Sequence, residues 1–449
     1  MQHLPRIAVG TVQPEAESQT IVWALTEALR RDCVQVQGFL SRACFPECQG
    51  LAALTGMTPR HLDSWLMSPE TCREIFVRGA READLALVVG AFDSAISGED
   101  IGGRLEPLCR WLNLPRLVVL DARGLGRREL PERPRQVDGL LLDRVADGHH
   151  LARLSTDLEA VWGVPVLGAL EELPWLRAQV KAVARGDRPS RRVCEQLGEH
   201  FAQYWQPERI WQTALRREFP AVSAAARSAD PAVGKLTVAI AYDEAFHSYF
   251  QDAVDGLELQ GASIVDFSPL RDEDLPPGAD VVYLGCGHPE RHAAALSENH
   301  CIKAALRSHL SSGGRVYAEG GGAAYLCQQM ETPNGEFKRM VGIFPAAARL
   351  KRVPSGPKPV EATLCRPNWL AARETRLRGY RNGHWDMEPL GPLTGFVAEE
   401  AHRYDLVGSF RAIGSMLHLD FAARPGLLSR FFHPQVPEPA FVDPWAVVS

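Results

Sequence analysis

No stretch of the chain holds twenty consecutive apolar residues, so no segment has the length and polarity of a bilayer-spanning helix. The opening MQHLPRIAVG lacks the basic-then-apolar pattern of a secretory leader. Positive charge is not in excess either. Lys and Arg number 49 against 55 Asp and Glu, a net charge of −6, and no polybasic cluster adjoins an amphipathic face. Nucleic acid and an anionic membrane surface are therefore not expected as partners. The ten cysteines are scattered, as reduced thiols would be, and a bacterial-type cytoplasm is the expected setting. Cys44 and Cys48 in CFPEC could meet a metal with His61, but no second Cys/His pair has zinc-site spacing, so no metal is expected.

What is present reads as soluble and globular. An apolar share of 45% with 23% charged residues can bury a sizeable core, and 449 residues are too many for one ordinary domain. Short apolar runs alternate with helical periodicity. The expected strands are 6–10, 34–40, 83–90, 115–121, 137–143 and 164–168, and residues 18–31 fit an amphipathic helix. That alternation means βαβ units and a parallel sheet covered on both faces. The paired residues His149 and His150 are read as a solvated pair in a loop.

The first strand-to-helix turn, GTVQPEAESQT, stands where such folds often bind phosphate. It keeps Gly10, Thr11 and Thr20 as candidate nucleotide-binding residues. A working phosphate loop also needs a lysine, and there is none between Gly10 and Thr20. Glu15 and Glu17 stand there instead and would repel a triphosphate.

A polar, partly helical connector is expected over 187–234, with a helix near 194–204. A second βαβ series then starts, with expected strands at 235–241, 262–268, 279–285 and 314–318. The last runs into RVYAEGGGAAYLCQQM, where a strand meets Glu319 and three glycines before a helix-compatible stretch. A sharp strand-to-helix turn of this kind presents one side chain at its apex, usually a nucleophile. Here the apex is Gly320.

These phrases resemble one family, the cobyrinate a,c-diamide synthases, along almost the whole chain. VAIAYDEAFHSYFQDAVDGLELQGASIVDFSPLRDEDLPPGADVVYLGCGHPE (residues 238–290) follows the family nearly phrase by phrase. LTGMTPRHLDSWLM, VDGLLLDRVADGHH and WGVPVLGAL fall in family order in the first half. The resemblance implies two doubly wound α/β domains. Residues 1–186 would be a degenerate ATP-binding-like domain and 235–449 a class I glutamine amidotransferase-like domain. Family members hydrolyse glutamine and use ATP and Mg to amidate a tetrapyrrole.

The family's apex reads AECGG and this chain reads AEGGG, so the position of the nucleophilic cysteine is Gly320. A glycine can form no thioester. The partner histidine maps to His418, with Glu319 beside the apex, and His418 is read as a hydrogen-bonded histidine at a strand end. The family's GGGYPE turn, the oxyanion hole, is GCGHPE here: Gly285, Cys286 and Gly287. Cys286 and Cys327 flank the apex in sequence and are read as packing thiols, Cys327 about two helical turns on. Val89 stands where the family carries a carboxylate. Arg378, Arg381 and His384 form a candidate grip for a carboxylate-rich ligand.

The expected function is a homologue that has lost glutaminase and ATP-dependent amidation. It would bind a tetrapyrrole, or a partner, as a homodimer or in complex with an active enzyme of the same pathway. One alternative is an active amidotransferase, using ammonia or glutamine on the a and c carboxylates of cobyrinate or on a sirohaem-type tetrapyrrole. The other is a scaffold with both clefts closed.

Overall fold

The computed structural model describes residues 4–13, 16, 18–45, 48–92, 102–125, 133, 135–183, 189–220, 235–352 and 356–436. The chain divides into two compact units, Met1–Ala229 with Tyr249–Asp255, and Asp230–Ser248 with Gly256–Ser449. Among the described residues no helix is long and apolar enough to cross a membrane.

In the first unit seven strands form one sheet: β1 (Arg6–Thr11), β2 (Val36–Leu40), β3 (Arg60–His61), β4 (Leu85–Ala91), β5 (Arg116–Asp121), β6 (Gly139–Val145) and β7 (Val166–Glu171). Their order is β3-β2-β4-β1-β5-β6-β7, and every pairing is parallel. RIAVGT of β1 and GLLLDRV of β6 are buried along their whole length, as strands covered on both faces must be. The sequence expectation stands for six of these strands, with ends shifted by up to three residues, and misses β3. Helix Gln19–Arg31 packs Ile21, Val22, Leu25 and Leu29 into the same core, and its last turn carries Arg30 and Arg31, which suit the negative end of the helix dipole.

Residues 191–215 are not a connector. Helices Arg191–Ala202 and Pro207–Leu215 sit in the first unit, and Val193, Leu197, Phe201, Ile210 and Ala214 join its core. Their polar outer faces made them look solvated, while the apolar residues recur at helical spacing on one side. Arg191 also reaches the fully buried Glu27, which takes a second ion pair from Arg30. Residues 221–234 of the expected connector lie outside the described residues. His149 and His150 open helix Gly148–Trp162 rather than a loop, with Asp147 capping the amide of His150.

The second unit carries β8 (Leu236–Ala241), β9 (Ala262–Phe267), β10 (Val281–Leu284) and β11 (Arg315–Glu319) in a six-stranded sheet. Strands Ala412–Ser415 and Leu406–Gly408 complete it, the last antiparallel at the edge. β10 and β11 are central and pair in parallel, so the turns that leave their C-terminal ends lie side by side. That is where an open α/β sheet places its ligands. Two smaller sheets follow. One is built from Phe337–Arg339, Cys327–Glu331, Phe344–Leu350 and Trp385–Pro389, the other from Lys358–Thr363, Arg376–Arg381 and Leu417–His418. Both units are thus parallel-sheet α/β structures, as expected.

Candidate functional site

The apex after β11 holds a strained backbone conformation that glycine adopts at least cost. Gly320 has φ +52° and ψ −110°, and helix Gly321–Leu326 starts at the next residue. The backbone is tied on both sides: the Gly320 amide donates to Ser415 O at 2.8 Å, and the Gly322 amide to Gly285 O at 3.1 Å. A Cβ added at Gly320 would lie 2.6 Å from Cys286 Sγ and 2.9 Å from Asn382 Nδ2. The space of an apex side chain is therefore filled by the sulfur of Cys286.

Cys286 comes from the turn after β10, which bridges to Ser248. Its amide donates to Ser248 O at 3.1 Å, so this amide of the turn is spent on structure rather than held for an oxyanion. Its thiol is 5% exposed and donates toward Glu319 O at 3.4 Å. Burial, and then the nearby Glu319 carboxylate, push the thiol well above its ordinary value, although the Gly321 amide pulls the other way. A thiol so held is not a thiolate at neutral pH.

His418 stands 3.5 Å from Cys286 Sγ through Nδ1, and the same nitrogen is 2.9 Å from Glu319 Oε1. The proton can be placed by its neighbours. Asn382 Oδ1 accepts the amides of His384 at 2.7 Å and Trp385 at 3.2 Å, so its Nδ2 faces His418 Nε2, at 3.4 Å. A donor facing Nε2 requires a lone pair there, and the proton therefore sits on Nδ1, shared with the carboxylate. The basic nitrogen points at Asn382, away from the thiol. A general base must offer its lone pair to the proton it takes, so His418 and Cys286 touch without forming a nucleophile–base pair. Tyr317 OH holds the other Glu319 oxygen at 2.9 Å, which fixes the carboxylate.

Cys327 does not lie two helical turns on. The helix ends at Leu326 and Cys327 opens a strand, fully buried, with its sulfur on Ala323 O. The candidate grip also falls apart. Arg378 pairs with Glu361 at 2.6 Å, and Arg381 pairs with Asp405 at 2.7 Å. The two arginines share strand Arg376–Arg381 at positions three apart, so they leave it on opposite faces. His384 instead reaches Glu290, 3.2 Å away. Glu290, His288 and Asn382 are the residues of this unit that the sequence reading missed. The signal for Glu290 lay in GCGHPE itself, where His288 and Glu290 adjoin the glycine turn.

In the first unit Gly10, Thr11 and Thr20 lie at the C-terminal end of β1, where the strand order switches direction. Their chemistry does not fit a triphosphate and Mg. A Cβ at Gly10 would meet Leu105 Cδ1 at 2.5 Å and Gly90 O at 2.7 Å, so this glycine serves strand and helix packing. Thr11 Oγ1 is engaged with the backbone of Gln13, and Thr20 is buried in the helix. Glu15 and Glu17 lie outside the described residues, as does the side chain of Cys48. Val89 is buried on β4, and His61 packs edge-on against Phe250 at 5.0 Å, inside the same unit.

Residues 237–425 match the model of the CobB/CobQ-like glutamine amidotransferase domain. A protein named cobyrinate a,c-diamide synthase from Syntrophotalea carbinolica is 28% identical over 95% of this chain and 98% of its own. A hydrogenobyrinate a,c-diamide synthase from Streptomyces coelicolor is 28% identical over 95% of this chain and 97% of its own. A solved glutamine amidotransferase covers 44% of this chain and 97% of itself at 15% identity, with a TM-score of 0.34.

Proposed function

From the premise that the chain belongs to the family of the cobyrinate a,c-diamide synthases, we propose that it hydrolyses no glutamine and acts as a non-catalytic binder of a corrinoid-type tetrapyrrole or of a partner in that pathway. The observation that carries the reading is the apex. Gly320 offers no nucleophile, and the Cys286 sulfur fills the space one would need. The thiol there is buried and protonated, and His418 turns its lone pair to Asn382. Acyl transfer from glutamine needs a thiolate and a base in register, and neither is in place.

Supporting the second half of the reading, the relatives named above are named for a tetrapyrrole polycarboxylic acid, and the match runs over nearly the whole chain. The test has two arms. Purified protein is incubated with glutamine, with and without Mg-ATP and cobyrinic acid, and ammonia is measured; no release above the protein-free control is expected. An absorbance titration with cobyrinic acid and sirohydrochlorin should give a saturable shift at micromolar ligand. Glutamine turnover would overturn the first claim, and the absence of any shift would overturn tetrapyrrole binding.

A further inference from the structure

Beside the apex the second unit holds a cluster that the glutaminase reading does not use. His288 Nδ1 lies 3.0 Å from Glu290 Oε1, and His384 Nε2 lies 3.2 Å from the same oxygen. The donor atoms of the three side chains all fall within 4.8 Å of one another. Glu290 is 4% exposed, and its second oxygen, Oε2, is buried with no hydrogen-bond partner. A buried carboxylate oxygen left unpaired is costly unless something positive meets it.

We propose that His288, Glu290 and His384 bind one divalent transition-metal ion. The spacing already suits a shared ion. With ligand distances of about 2.1 Å, two donors at 90–110° lie roughly 3.0–3.4 Å apart, which brackets both nitrogen–oxygen separations. Two imidazoles and a carboxylate select Zn²⁺, Co²⁺, Fe²⁺ or Ni²⁺ over Mg²⁺ and Ca²⁺, which take oxygen ligands. The orphan Oε2 supplies a second carboxylate contact. His384 is 36% exposed in its side chain, so the ion has an approach from solvent and an open coordination position for water or a ligand atom.

The support of the site is also in place. The amide of His384 is fixed by Asn382 Oδ1 at 2.7 Å, and Pro289 sits between His288 and Glu290, starting a turn of 3₁₀ helix that spans Pro289–His292. The other cluster of metal-capable groups among the described residues is Cys286, Glu319 and His418. There the thiol is held protonated and the imidazole proton lies on the nitrogen facing the carboxylate, so that trio is set for hydrogen bonding rather than ligation. The inference stands independently of whether glutamine is hydrolysed.

The full chain, stripped with a chelator, is titrated with Co²⁺ and followed by its visible d–d bands, with Zn²⁺ as competitor. One equivalent should bind with micromolar affinity and be displaced by Zn²⁺. His384→Ala and His288→Phe should each weaken binding by roughly a hundredfold while circular dichroism stays unchanged. Cys286→Ala should leave the affinity within about twofold. No bands up to about 1 mM Co²⁺ would overturn the site. So would His384→Ala binding as the wild type does, or a near-ultraviolet thiolate-to-cobalt band that disappears with Cys286→Ala.

Discussion

Restoring a cysteine at the apex is the most direct challenge to the reading of this site. Gly320→Cys must place a Cβ 2.6 Å from Cys286 Sγ and 2.9 Å from Asn382 Nδ2, both under the closest approach real Cβ atoms make. It must also hold φ at +52°, which costs an L-residue about 1–3 kcal/mol. Overpacking a closed core adds about 1–3 kcal/mol. The expected loss is therefore about 2–6 kcal/mol, or a fall of roughly 4–24 °C in the calorimetric melting temperature of the affected unit. The partner change, Cys286→Gly, empties the space, so the double variant should regain the packing part, a coupling of about 1–3 kcal/mol in a double-mutant cycle. Ammonia release should stay at background in Gly320→Cys. Its thiol enters an occupied pocket, and His418 still presents its lone pair to Asn382. A Gly320→Cys protein as stable as the wild type, additive effects in the cycle, or glutamine turnover by the single variant would each refute the reasoning.

Three further outcomes follow from the same structure. Cys286 should be alkylated by iodoacetamide at least about a hundredfold more slowly than the exposed Cys301, judged by peptide mapping of the native protein, because only a thiolate in reach of solvent reacts. In the first unit Arg177 and Asp143 form a pair with both side chains almost fully buried, and burial outweighs the arginine to hold the Asp143 carboxyl above its ordinary range. Arg177→Met should then cost about 3–5 kcal/mol in denaturant unfolding, since it strands a buried carboxylate, and a loss under about 1 kcal/mol would contradict the pairing. Burial would raise the Asp121 carboxyl, but hydrogen bonds from Arg123 and Arg144 more than offset it and hold it below its usual value. A lowered folded pKa contributes stability that is fully present above the unfolded value of about 3.9 and is lost as pH falls from there through the lower folded value. Asp121→Asn should be less stable than the wild type at pH 7, with the gap closing as pH falls below the ordinary carboxylate range in thermal melts; a gap independent of pH would sink the assignment.

The parallel strands were legible because burial on both faces writes them as unbroken apolar runs, as in Leu140, Leu141 and Leu142 of β6. The apex was legible for a different reason: three glycines after a strand can only be a turn that side chains would obstruct. The smaller sheets were not. FPAAARL of Phe344–Leu350 has alanine at three of its seven positions and is made a strand by its neighbours Cys327–Glu331 and Trp385–Pro389 rather than by its own preference. Missing them misled the reading of the site. Arg378 and Arg381 look like neighbours in a loop, yet on strand Arg376–Arg381 a spacing of three sends them to opposite faces. Asn382 escaped, and His384 was given the wrong partners, for a related reason. Their roles lie in long-range contacts such as the one between Glu290 and His384, 94 residues apart in the chain, and no pattern around 382–384 encodes them.

The residues at 286 and 320 are coupled by packing. The pocket has room for one sulfur: a side chain at 320 and the thiol of Cys286 would sit within 2.6 Å of each other. A cysteine at 286 is therefore tolerated because 320 is a glycine, and the bare apex at 320 leaves no void because 286 carries the sulfur. Polar groups that would otherwise be orphaned beside the empty apex keep partners, since the thiol meets Glu319 O and the Gly321 amide meets the sulfur. Glu319, anchored by Tyr317, then holds the His418 proton, and Asn382 holds the other imidazole nitrogen. Each polar contact that stabilises this arrangement also removes a reactive feature: a thiolate, a free lone pair, an amide for an oxyanion. That coupling is why a cysteine placed at 320 alone should cost stability without bringing glutamine turnover.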